Sequence, residues 1–217
     1  MNTPQVIWQL YADQIAAALW EHLLLTFSAL LAGCAAAIPL GLLLARKPGW
    51  GDKVILVASV TQTIPSLALF ALALPLIGIG FAPAFYVLWL YALFPILNNT
   101  YTAMKHIDPA LLKYAEAMGM TERQRYVKVR FPLALPAIVG GVRLSAVYTV
   151  SWATVAALIG AGGLGKLIFS GIDNYNPDLI LAGALPTAIL AIMIGWLLGL
   201  LQRRTTPRYK RREALNR

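Results

Sequence analysis

The sequence predicts an all-α integral membrane protein of about five transmembrane helices, with the amino terminus outside and the carboxyl terminus in the cytoplasm. Three observations predict it. The 217 residues are 59% hydrophobic and only 12% charged, too little polar surface to coat a soluble domain of this size. The apolar residues fall in five blocks of about the length that crosses a bilayer. All but two of the 18 Lys and Arg residues lie in segments on one side of those blocks, the cytoplasmic side by the positive-inside rule.

The elements follow in order. Residues 1–22 scatter Trp8, Leu10, Tyr11, Ile15 and Leu19 and predict an amphipathic helix lying at the outer surface. No Lys or Arg precedes Arg46, which argues against a cleavable signal peptide, as does the length of the first apolar run. That run gives a span at 23–45, with the lone Cys34 in its middle as a small packing residue. Further spans are predicted at 54–77, 81–97, 137–159 and 179–201. The third is short, about 25 Å by helical rise, and extends through Asn98 and Asn99. Prolines punctuate the spans at Pro39, Pro65, Pro75, Pro95, Pro136 and Pro186. Each interior proline frees a carbonyl and favours a kink, which suits helices that rock and is also tolerated by a static bundle. The domain reading is an outer segment 1–22, a membrane domain 23–201 with a cytoplasmic loop at 105–132, and a basic tail 202–217. There is no internal repeat of the kind common in secondary carriers.

The net charge of +9 is a topology signal rather than a nucleic-acid footprint. Arg46, Lys47 and Lys53 follow the first span, and Lys105, Lys113, Arg123, Arg125, Lys128 and Arg130 follow the third. The tail carries Arg203, Arg204, Arg208, Lys210, Arg211, Arg212 and Arg217. The exceptions are Lys166 and Arg143. Arg143 lies inside the fourth span and needs a partner or a route to water; snorkelling toward lipid headgroups is the cheaper solution.

Polar groups within the spans are few: Thr61, Gln62, Thr63 and Ser66 around Pro65, Asn98 and Asn99 at the end of the third span, and Ser145, Thr149, Ser151, Trp152 and Thr154 in the fourth. Such groups face protein or water, as interhelical hydrogen bonds or as the lining of a path. No carboxylate stands among them, so an ion-coupling site has no support. Metal ligands are likewise missing from the pattern, and none is expected. Residues 160–167 approach a phosphate-binding loop but lack the final Ser or Thr and follow a membrane helix rather than a strand. Gly160, Gly162, Gly163 and Gly165 are read instead as a tight outer gate. The polar turn at 173–178 is either a docking surface for an external protein or an ordinary solvated loop.

The loop at 105–132 is the most specific segment. Asp108 is a good N-cap with Pro109 at the first helical position, and Gly119 is placed to end the helix in the left-handed conformation. Leu111, Leu112, Ala115 and Met118 share one face. Thr121 and Gln124 match a capping box for a second helix, which Pro132 is expected to end. A short helix of this kind inserts into a groove of a soluble partner or rests on the membrane surface.

Residues 114–121 (Tyr-Ala-Glu-Ala-Met-Gly-Met-Thr) and 129–136 (Val-Arg-Phe-Pro-Leu-Ala-Leu-Pro) resemble the EAA loop of ABC importer permeases. Gly119, Val129 and Pro132 stand at the family spacing. Lys113 replaces the family Glu, Tyr114 the first Ala, and Phe131 a Leu. Residues 62–68, 95–102 and 157–165 resemble the osmoprotectant branch of those permeases, which imports glycine betaine, carnitine, choline and related quaternary amines. The resemblance implies the type I ABC importer permease fold in the bacterial cell membrane. It implies a transport subunit without catalytic residues, and no cofactor in this chain, because ATP and Mg are bound by the partner ATPase. Coupling to that ATPase is then expected through Asp108, Pro109, Leu111, Leu112, Ala115, Glu116, Ala117, Met118 and Gly119. A path is expected along Thr61, Gln62, Ser66, Asn98, Asn99, Thr149 and Trp152. Implied partners are a second permease subunit, identical or paralogous, two ABC ATPase subunits, an extracytoplasmic substrate-binding protein and membrane lipid. The alternatives are an ABC permease for another small solute such as an amino acid, and, from a different class, a secondary carrier or a membrane scaffold.

Overall fold

The computed structural model describes residues 4–206, all of whose regular structure is helical. The tail cations from Arg208 onward and the first three residues of the predicted outer segment lie outside the described residues. Four helical stretches are long and apolar enough to cross a membrane: Tyr11–Leu44, Phe81–Lys105, Glu122–Ile159 and Pro177–Thr205.

Helix α1 runs unbroken over Pro4–Leu44, about 62 Å by helical rise. Residues 4–22 therefore continue the first span rather than form a separate surface helix. Part of this stretch packs against protein: Ile15 and Ala18 are buried with Leu164, Leu167 and Ala182. The second crossing also differs from the expectation. It is two half-length helices in series, α2 (Pro48–Val60) and α3 (Ser66–Ile77), each near 20 Å against a hydrocarbon core of about 30 Å. Before the break the chain tightens, with Thr61, Gln62 and Thr63 each donating to the carbonyl three residues back. Pro65 then has no N–H to continue the ladder and drives Ile64 out of the helical region. The prolines at 39, 75, 95, 136 and 186 all sit inside helices that continue through them.

Helix α4 (Phe81–Lys105) is longer than the predicted third span and forms the centre, packed between α1 and α7. Its Ala84, Val87, Leu88 and Tyr91 share a core with Leu25 and Ala29 of α1, Phe70 of α3 and Ala153 of α7. The loop helix α5 (Pro109–Ala117) leads to a short α6 (Glu122–Arg125). Pro132 does not end that second helix. A π turn over Tyr126–Arg130 widens the backbone, with the Phe131 N–H bonding five residues back to the Tyr126 carbonyl. The helix resumes as α7 (Phe131–Val155) with Pro132 in its first turn, where the missing N–H is harmless. A 3₁₀ turn (Ala156–Ile159), α8 (Leu164–Asp173) and α9 (Pro177–Thr205) complete the bundle. Asn176 caps α9 by accepting from the Asp178 and Leu179 N–H groups at 3.1 and 3.2 Å.

Candidate functional site

The predicted residues fall into three places along the bundle. At one end stands α5. The Asp108 carboxylate accepts from the Ala110 N–H at 2.8 Å and Pro109 opens the helix. At the other terminus Gly119 has φ +79°. The Gly119 N–H donates to Glu116 and the Met120 N–H to Ala115, at 2.9 and 3.1 Å, the paired bonds of a left-handed helix stop. The capping box follows, with the Thr121 N–H donating to Gln124 Oε1 at 2.9 Å and the Gln124 N–H to Thr121 Oγ1 at 3.3 Å. Of α5 only Ala115 is buried, while Leu111, Tyr114 and Met118 are exposed and Ala117 is open. Leu112 turns inward to a cavity it shares with Glu122, Arg125, Tyr126 and Arg130. Glu116 is engaged inside the loop, accepting from the Arg125 guanidinium at 2.5 Å.

Side chains outside α5 fasten this end. The Tyr126 hydroxyl donates to the Leu42 carbonyl at 3.1 Å, and Arg46 lies 4.9 Å from the centre of the Tyr126 ring. Asp52 accepts from Lys105 at 2.6 Å and from the Tyr101 hydroxyl at 2.8 Å. The Lys105 bond first, and the Tyr101 bond second, hold the Asp52 carboxyl below its usual range. A depressed carboxylate keeps this clasp between α2 and α4 charged at neutral pH, and it is lost only as pH falls through the lowered value.

The second place is the α2–α3 break. Gln62 Nε2 donates to the Tyr91 carbonyl at 3.3 Å, and the Tyr91 hydroxyl donates to the Ile64 carbonyl at 2.5 Å. The Trp152 ring lies 4.4 Å from that of Tyr91 and 5.4 Å from that of Tyr148. Tyr91 thus joins Gln62 to Trp152, and Ser66 opens α3 beside them. Non-helical backbone at membrane depth is tolerated only against protein or a wet cavity, so the break marks a protected face of the bundle. Thr61 and Thr149 satisfy themselves within their own helices, on Ala58 and Ser145. The helix-to-helix bond there is from Ser145 Oγ to the Ala92 carbonyl, at 3.0 Å. Asn98 and Asn99 lie about two turns, roughly 10 Å, farther along α4. Asn99 Nδ2 donates to the Pro95 carbonyl at 2.8 Å, and Asn98 Oδ1 accepts from Thr102 at 3.4 Å. The path residues therefore mark two levels, not one pocket.

The third place is the glycine segment at the end opposite α5. Gly160, Gly162 and Gly163 all have positive φ. Gly165, in the first turn of α8, lies so close to the backbone of α7 that an added Cβ would overlap the Thr154 carbonyl. Sequence reasoning missed what holds this loop. The Gly163 N–H donates to the Glu21 carboxylate at 2.8 Å, and the Gly80 N–H donates to the Ile159 carbonyl at 2.8 Å. The neighbouring His22 is buried and its Nε2 lies 3.1 Å from the Val150 carbonyl. Facing a carbonyl, that nitrogen carries the proton, leaving Nδ1 a buried acceptor with no hydrogen-bond partner among the described residues. Glu21 and His22 thus tie α1 to both flanks of the glycine loop. An acidic residue next to a histidine in the middle of an apolar helix was the available signal.

Comparison with known proteins places this geometry. The model of the family "Binding-protein-dependent transport system inner membrane component" matches residues 37–211. The carnitine transport permease protein OpuCB of Listeria monocytogenes is 48% identical over 189 residues, covering 87% of each chain. The glycine betaine/carnitine/choline transport system permease protein OpuCB of Bacillus subtilis is 39% identical over 208 residues, covering 96% of each. Among solved structures, an inward-facing conformation of the MetNI methionine ABC transporter superposes with a TM-score of 0.80 at 25% identity, over 95% of this chain and 100% of that one.

Proposed function

The chain belongs to the binding-protein-dependent transport system inner membrane component family, and from that premise we propose that it is a permease subunit of an ATP-driven importer of glycine betaine, carnitine, choline and related quaternary amines. The identity to carnitine and betaine permeases over almost the whole of both chains carries this reading. A multi-pass bundle with a capped, exposed apolar helix at one end and a pinned glycine loop at the other suits it. In this reading α5 faces the cytoplasm and seats in an ABC ATPase, one of two that bind and hydrolyse ATP with Mg. Leu111, Tyr114 and Met118 supply its apolar contact. Glu116, already paired with Arg125, shapes the loop rather than replacing the family Glu at position 113. A second permease subunit covers the break-bearing face, and an extracytoplasmic binding protein delivers substrate at the glycine-loop end. ATP binding favours one of two packings of the bundle, so substrate passes as access alternates.

The substrate class is tested in vesicles holding the complete transporter. Binding protein loaded with carnitine or betaine is expected to raise ATP hydrolysis several-fold, and methionine to leave it at the basal rate. The likeness to a methionine transporter favours the rival reading of an amino-acid permease, and stimulation by methionine alone would establish that rival. Orientation has its own test. A cysteine at Asn174, in the exposed α8–α9 turn, is expected to react with an impermeant thiol reagent from outside, and one at Thr206 only from inside. The reverse pattern would invert the topology.

A further inference from the structure

We propose that Arg143 and Arg203 form a clamp for the headgroup phosphate of an anionic phospholipid. Arg143 is the only charged residue of α7, and a charge on a membrane helix is costly unless paired or led to water. It lacks a protein partner: among the described residues neither Arg143 nor Arg203 takes part in an ion pair or hydrogen bond. Its position is nevertheless built. The guanidinium lies across Gly199 of α9, where an added Cβ would come within 3.2 Å of Cζ and 3.3 Å of one terminal nitrogen. A Cβ at that point would require the guanidinium to give by a few tenths of an ångström, so Gly199 is what lets it lie this close to α9. Arg203 stands one turn beyond Gly199 and Trp196 one turn before it. With Leu200 these groups line a cavity of about 80 Å³ that contains no carboxylate.

The surroundings select a lipid. Toward the middle of α9 the outward face is apolar, with Ile189, Ile192, Met193 and Leu197 all exposed, a surface for acyl chains. Beyond the cavity come Arg204 and the helix end at Thr205. The cavity therefore sits where the apolar face gives way to charge, beside a tryptophan of the kind that settles at headgroup level. Two planar guanidinium forks match phosphate oxygens bidentately, and an anion there supplies a counter-charge that no described residue gives Arg143.

The test uses the complete transporter in lipid nanodiscs or detergent, with phosphatidylglycerol and phosphatidylcholine as probes read by native mass spectrometry. The wild type is expected to retain phosphatidylglycerol over phosphatidylcholine by roughly tenfold or more, and the Arg143→Gln/Arg203→Gln double variant to hold both equally. Arg143→Lys keeps the charge but loses the fork and is expected to fall between. Arg204→Gln, outside the cavity, is expected to keep the full preference. Should Arg143→Gln fail to assemble, Arg203→Gln alone, at an exposed position in the last turn, carries the test. An undiminished preference in the Gln variants would overturn the proposal. So would displacement of the lipid by millimolar inorganic phosphate, which would identify a free-anion site, or protection of an Arg143→Cys thiol by a second subunit.

Discussion

Gly119→Val is expected to cut uptake by roughly tenfold or more while leaving the protein in the membrane and ATP hydrolysis running. Gly119 holds φ +79° at the end of α5, and an added Cβ there would meet nothing within 4 Å. The penalty is therefore conformational rather than steric crowding. A β-branched residue in the left-handed region costs about 1–3 kcal/mol, and each 1.4 kcal/mol is about tenfold in the population of the native turn. What gives way is local. The bonds from Gly119 and Met120 to Glu116 and Ala115 loosen, and α5 loses its fixed angle to the capping box at Thr121. The bundle core contains no residue of α5 other than Ala115, so insertion and assembly should survive. Gly119→Ala is expected to fall between wild type and Val. Parallel measurement of uptake and ATPase activity in vesicles checks this, and normal uptake by the Val variant would remove α5 from the coupling role.

The second large effect is expected at Gly165. Here the obstacle is steric, and it is backbone: an added Cβ overlaps the Thr154 carbonyl and comes within 2.7 Å of its carbon. A flexible side chain could yield, but a carbonyl in the last turn of α7 cannot, so Gly165→Val must lift α8 away from α7. That exposes the cluster of Leu164 and Leu167 with Ile15 and Ala18. Overpacking of this kind costs about 3 kcal/mol or more, which for a protein of this size lowers Tm by about 6–12 °C. Gly49→Ala is the matched control, since its added Cβ meets nothing within 4 Å and a helical Ala is favoured over Gly. Thermal melts of both purified variants test the contrast. Equal melting temperatures would show that α8 is not clamped to α7.

Much of this architecture was legible in the residues because its signals are local. The apolar runs found the crossings, Asp108-Pro109 and Gly119 bracketed α5, and Thr121 with Gln124 gave a capping box that forms reciprocally. Local rules also explain two misjudgements. Pro65 was read as one kink among several, yet it alone breaks a span, because the chain before it had already tightened onto carbonyls three residues back. Pro132 was read as a stop, yet a π turn carries the helix past it, an option invisible in spacing alone. The ties around the glycine loop were out of reach for a different reason. Glu21 meets Gly163 across 142 residues, and His22 meets Val150 across 128. The Glu21-His22 pair within an apolar helix signals that partners are needed, but nothing local says which residues they are. The path residues were partly legible. Polarity picked out Gln62 and Trp152, but the residue that joins them, Tyr91, meets its Ile64 carbonyl across 27 residues.

The π turn that carries the helix past Pro132 has a mechanical consequence. Through it, Glu122 to Ile159 forms a single strut of 38 residues, about 57 Å from the foot beside α5 to the glycine loop. A strut pivoting near its middle behaves as a seesaw: a tilt of only ~5° swings its two tips about 2.5 Å in opposite senses. The upper half is fastened to α1 through Val150 and His22, so a tilt of the strut pulls on the first helix. A nudge at the foot is thus delivered to the far surface without any relay of side chains, at a distance fixed by the stiffness of one rod.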